Sequence, residues 1–205
     1  MNKENRPVKD RDLTEKKILD AVGKIISENG FEKVGVNAVA QEAGVSKMLI
    51  YRYFGNVDEL IVHYIMKHDY WINISTGTIP EIENLSEFLK DMFRMQISQL
   101  RSDETLKRLY RWELSTSNPI TARLRSKREA NGLLLIEMIS KLTSYPQKEI
   151  AALASILSAA ISYLALLEER CPVYNGIGLQ SNEGWEQITQ GTDLMIDLWI
   201  KSKLQ

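Results

Sequence analysis

Between Gly44 and Val57 the chain places Lys47, Arg52, Tyr51 and Tyr53 without one acidic side chain. If this stretch is helical, Ile50 and Phe54, four apart, turn inward, and Lys47, Met48, Tyr51 and Arg52 share the outer face. That face suits the major groove of a DNA duplex, where lysine and arginine bond guanine edges and apolar groups touch thymine methyls. The competing reading makes the tyrosines packing aromatics and the charges a solvated face. Just upstream, Val39, Ala40 and Ala43 give a short helix a small apolar side, and Gly44 permits the positive φ of a sharp turn. Val45 plugs that turn, and Ser46 stands where a hydroxyl caps the next helix. Two short helices, a glycine turn and small residues at the crossing are the ingredients of a helix-turn-helix.

The rest of the sequence narrows the possibilities. The 205 residues, 44% hydrophobic and 26% charged, fit one medium domain or a small module joined to a larger one, with a real core. Lys plus Arg total 26 against 27 Asp plus Glu, a net charge of -1, so affinity for nucleic acid must rest on a local patch. The lone Cys171 forms no internal disulfide, and a reducing cytoplasm is the expected compartment. Met1 to Asp12 is too polar for a secretory signal. His63 and His68 lie five apart, off the spacing of a helical metal pair. No nucleophile-base-acid pattern or phosphate loop is visible, so neither an enzyme nor a bound cofactor is expected.

An all-α fold of about nine helices follows from the periodicity, near 13–29, 37–43, 46–54, 57–75, 84–100, 103–116, 119–142, 147–170 and 183–203. Ile150 to Leu167 carries no charge, at a length where a membrane span becomes arguable. Its serines and the Glu168-Glu169-Arg170 that follows favour a helix buried on nearly all sides, with no membrane. Cys171 to Asn182 reads as a loop that sets the last two helices antiparallel and side by side.

Gly30-Phe31, Val39-Ala40-x-x-Ala43-Gly44-Val45-Ser46, Tyr51-Arg52-Tyr53-Phe54 and Asp58-Glu59-Leu60 together resemble the TetR family of bacterial transcriptional regulators, over roughly residues 13–62. The resemblance implies a flexible arm at 1–12, a helix-turn-helix domain at 13–60, and a ligand-binding and dimerisation domain at 61–205. By position, Lys47, Met48, Leu49 and Arg52 match base-facing places, and Tyr51 and Tyr53 match places that meet phosphates; Ser46 begins the helix. Gly35 stands where the family has a capping Thr or Ser, a role for which Asn37 is the available substitute. Val57 stands where a phosphate-binding Lys is common. Lys3, Arg6, Lys9 and Arg11 form an arm diluted by acids; reach to a minor groove or neighbouring phosphates is one reading, and a disordered, mildly helpful tail is the favoured one.

For the second domain, large apolar groups and polar intruders on apolar faces give a candidate pocket of Trp71, Phe93, Tyr110, Trp112, Asn131 and Met138, fitted to a small apolar or amphipathic effector. Arg123, Arg125, Lys127 and Arg128 read as a solvated face. Leu153, Leu157, Ile161 and Leu164, with Leu194, Leu198 and Trp185, form the stripe expected to pair two copies as a homodimer. The expected function is a repressor released from a palindromic double-stranded DNA operator by its effector. A helical adaptor with a degenerate head is the alternative.

Overall fold

The computed structural model describes residues 6–73 and 80–202, with side chains from Arg11 onward. Lys3 and the side chains of Arg6 and Lys9 lie outside the described residues. The order is α1 (Arg6–Asn29), a 3-10 turn (Phe31–Lys33), α2 (Val36–Ala43), α3 (Lys47–Phe54), α4 (Val57–His68) and α5 (Tyr70–Asn73). A second 3-10 turn (Ile82–Asn84), α6 (Leu85–Ser102), α7 (Glu104–Ser115), α8 (Pro119–Thr143) and α9 (Gln147–Leu167) follow. A two-stranded hairpin, β1 (Val173–Tyr174) and β2 (Ile177–Gly178), then leads to α10 (Asn182–Lys201). The fold is all-α, as the periodicity implies.

The chain divides into two compact units, Met1–Asp69 with Arg108–Ser126, and Tyr70–Lys107 with Lys127–Gln205. In the first, Ile18, Val22 and Ile26 recur every four residues along α1 and, like Val39, Ile50 and Leu60, have no exposed surface. Gly23 lets α4 approach α1, since a Cβ there would meet the Tyr64 hydroxyl at 2.8 Å. Arg108–Ser126 joins this unit because Trp112 stacks flat on Phe31, ring centroids 4.7 Å apart. Arg123 bonds Glu59 at 2.6 Å and Arg125 Nε bonds the buried Glu113 at 3.0 Å, so part of the basic run is committed to ion pairs.

In the second unit, α6 packs against both α9 and α10, whereas α9 and α10 touch each other only sparsely, contrary to the expected side-by-side pair. Lys90 to Asp197 at 2.8 Å and Arg94 to Asp193 at 2.6 Å tie α6 to α10. Donation from Lys90, and then from Ser86, holds the Asp197 carboxyl below the usual carboxylate range. The stability linked to it is therefore present above the ordinary carboxyl pKa and fades as acid protonates it.

Four expectations need correction. Helix α1 starts at Arg6, seven residues before Leu13, because Pro7 falls in the first turn, where a missing N–H costs nothing. The helix expected over 57–75 breaks at Asp69, whose backbone is extended (φ -75, ψ 123). The Cys171–Asn182 loop contains a hairpin: Asn175 (φ 51) and Gly176 (φ 82) supply the paired positive φ of a tight turn between Val173-Tyr174 and Ile177-Gly178. Helix α9 is long and apolar enough to cross a membrane, yet only 22% of its most apolar stretch is buried within the chain, not nearly all of it.

Candidate nucleic-acid interface

The turn between α2 and α3 forms as its residues dictate. Gly44 adopts φ 63, ψ 36, and Val45 N–H bonds the Ala40 carbonyl at 3.0 Å to close α2. Ser46 caps α3, its hydroxyl accepting the Leu49 N–H at 3.3 Å. Asn56 caps α4 in the same way, through Glu59 N–H at 2.8 Å. These stops fix the length of α3 and hence which side chains face out. Ile50 is fully buried, and Phe54 lies edge-on to His63 at 5.4 Å. Lys47, Met48, Tyr51 and Arg52 are exposed, Met48 at 76%, while Leu49 and Tyr53 are half-buried.

Among the described residues neither Lys47 nor Arg52 has an acidic partner, whereas Lys24, on α1, is held by Glu42 at 2.7 Å. The outer face of α3 is thus two uncompensated cations around an apolar tip, able to bond anionic oxygens and base edges. Asn37 does not replace the missing cap: it lies inside α2, whose N-terminus at Gly35 receives no side-chain bond. A Cβ at Gly35 meets nothing within 4 Å, and its φ of -135 is open to any residue. Gly35→Ser is therefore expected to supply the cap and raise the melting temperature by roughly 1–3 °C, read by calorimetry. An unchanged or lower melting point would refute the account of the empty cap.

The second unit holds a cavity of about 100 Å³ lined by apolar groups from α5, α6, α8, α9 and α10. Trp71 and Phe93, both expected there, line it and meet edge-on at 6.3 Å. The other four expected residues do not line it. Asn131 instead donates to the Trp71 and Ile72 carbonyls at 3.1 and 2.9 Å, closing the end of α5. Met138 is absent from the lining, and Tyr110 and Trp112 belong to the first unit, where Trp112 packs on Phe31. Sequence reasoning missed Met92, Ile139, Ile150 and Trp199, and gave Leu153 and Leu157 to the partner stripe. Beside the cavity, Tyr70 donates to the Met92 carbonyl at 3.0 Å, and burial pushes its phenol pKa up to about 12.

The expected partner stripe needs the matching correction. Leu157 and Ile161 are each 2% exposed, Leu164 is half-buried and Trp185 is buried, its indole N–H donating to the Leu179 carbonyl at 2.7 Å. The 3.6-residue period rotates the outward face of α9 onto Ala152, Ile156, Ala159 and Tyr163. Leu194 and Leu198 do face out from α10, with Met195. Among the described residues no cluster of His, Cys, Asp or Glu fits a metal ion.

A glycine-hinged pair of short helices with an acid-free cationic face defines a helix-turn-helix head, joined in sequence to a larger helical unit. Residues 18–64 match the family described as bacterial regulatory proteins, tetR family. The fatty acid metabolism regulator protein of Bacillus subtilis is 30% identical over 102 residues, 49% of this chain, and the match spans 53% of that relative's length. Among solved structures, the fatty acid degradation regulator of Bacillus halodurans superposes with a TM-score of 0.58 at 20% identity, covering 89% of this chain and 94% of that one. A TetR-family transcriptional regulator from Streptomyces coelicolor gives 0.56 at 13% identity, covering 98% and 96%. At these identities the structures establish the shared fold. These relatives are described as regulators.

Proposed function

We propose that the protein is a cytoplasmic, homodimeric, sequence-specific DNA-binding repressor, released from a palindromic operator by a small apolar or amphipathic molecule. The observation that carries this reading is the outer face of α3, where Lys47 and Arg52 stand exposed around Met48, without an acidic partner among the described residues. Lys47, Met48, Leu49 and Arg52 address bases, Ser46 opens the helix against the duplex, and Tyr51, Tyr53 and Asn37 address the flanking backbone. A two-fold dimer sets two such helices about 34–36 Å apart, or a multiple, to enter successive major grooves. The apolar outward faces of α9 and α10 support pairing with a second copy: alanines at 152, 159 and 160 allow close approach, and Ile156, Leu194 and Leu198 supply area.

The cavity lining contains no charged side chain, which supports an effector bearing an aliphatic chain, as do the names of the two Bacillus relatives. To loosen operator binding 100-fold, the effector needs about 2.7 kcal/mol of differential affinity between the two states.

Selection of bound duplexes from a random pool tests the reading, and a palindrome with half-sites one turn apart is the expected result. Leu198→Glu is expected to convert the dimer to monomer in light scattering and to abolish selection of the full palindrome. The uncapped Gly35 favours one alternative, an adaptor whose head has lost DNA affinity. Absence of any preferred duplex would decide for it.

A further inference from the structure

The first turns of α1 lie outside the segment matched to the family, yet they reach the far end of α3. Residues 11 and 15 are four apart and share one face of α1. From that face Glu15 approaches His63 Nε2 at 3.4 Å, and His63 in turn sits edge-on to Phe54. Arg11, one turn earlier, places its guanidinium carbon 5.6 Å from the ring centroid of Tyr53. Arg11 is exposed and has no acidic partner among the described residues. Stacking on a ring fixes the plane of a guanidinium while its N–H groups remain free to bond an anion in a bidentate fork. The end of α3 thus gathers Arg52, the Tyr53 phenol and an oriented Arg11.

We propose that Arg11, held against Tyr53, is a DNA phosphate contact that completes the edge of the reading helix. A phosphate is the fitting anion because the N-terminal residues of a recognition helix read bases, whereas groups flanking the helix meet the backbone. Arg11 is therefore part of the folded head and not of a loose tail. This inference rests on the DNA-binding reading above.

The test measures fluorescence anisotropy of the duplex recovered from the random pool, and of a scrambled duplex, over a series of salt concentrations. Arg11→Ala is expected to weaken both complexes by the same factor, roughly five- to twentyfold, and to reduce the slope of log affinity against log salt by about 0.9. Arg11→Lys keeps the slope and loses part of the affinity, because charge survives without the planar fork. Tyr53→Leu, which removes the stacking ring, makes a subsequent Arg11→Ala less costly than in the parent. Circular dichroism is expected to show unchanged helicity for the exposed Arg11 variants. If the parent binds and Arg11→Ala stays within twofold with an unchanged slope, the proposal falls and the DNA-binding reading stands. A loss confined to one sequence makes Arg11 a base contact and also overturns it. A parent that binds neither duplex at low salt overturns both.

Discussion

Arg52→Ala is expected to cost roughly 1–3 kcal/mol of operator affinity, about five- to 150-fold, because it deletes the one outward guanidinium on α3 that can pair bidentately with a guanine. Truncation should leave the fold intact: Arg52 is exposed and without an acidic partner among the described residues, and Ile50, not Arg52, anchors α3 in the core. The discriminating measurement compares the selected duplex with one altered at a single base pair. The parent prefers the selected duplex, and at one position Arg52→Ala is expected to lose that preference. A uniform loss over all duplexes would instead assign Arg52 to a phosphate, and an unchanged affinity would remove it from the interface. Lys47→Ala serves as the contrast, since a lysine bonds a base or a phosphate as a point charge and forfeits less geometric selectivity.

The head was largely legible in the sequence because its constraints are local. Gly44 has to supply a positive φ, Ser46 has to cap, and Ile50 has to face the core; each is readable from a residue and its near neighbours. The length of α1 was not, since Pro7 looks like a boundary until its place in the first turn is known. The Asn175-Gly176 pair carried a hairpin signal, missed because each flanking strand has only two residues. The second unit was harder for a different reason. Helix α9 is apolar on all sides, so periodicity shows no preferred face, and only the packing of α6 reveals that Leu157 and Ile161 point inward. The same ambiguity misplaced the cavity. Leu153, Leu157 and Trp199 line it from helices assigned to a partner, while Trp112, an aromatic of the expected kind, is spent on Phe31.

Gly132 gives a way to separate effector binding from DNA binding. It lies inside α8 and lines the cavity, and a Cβ placed on it meets nothing within 4 Å. A glycine in a helix interior with room for a side chain is destabilising, so Gly132→Ala is expected to gain about 1 kcal/mol, or roughly 2–4 °C in melting temperature. A larger side chain has a different consequence, because Gly132 lines the cavity. Gly132→Phe is expected to fill the volume that an aliphatic chain would take, leaving the outer face of α3 untouched. Trp71 and Trp199 both line the cavity and report its occupancy by fluorescence. Titration with butanoate, short enough for a cavity of about 100 Å³, should quench or shift the parent's emission and leave that of Gly132→Phe unchanged. On the selected duplex, butanoate is expected to release the parent and leave Gly132→Phe bound. If Gly132→Phe is released as readily as the parent, the effector binds elsewhere. If Gly132→Phe binds neither ligand nor DNA while Gly132→Ala keeps both, the phenylalanine has overpacked the unit, and the smaller Gly132→Leu, expected to block butanoate and keep the duplex, decides the matter.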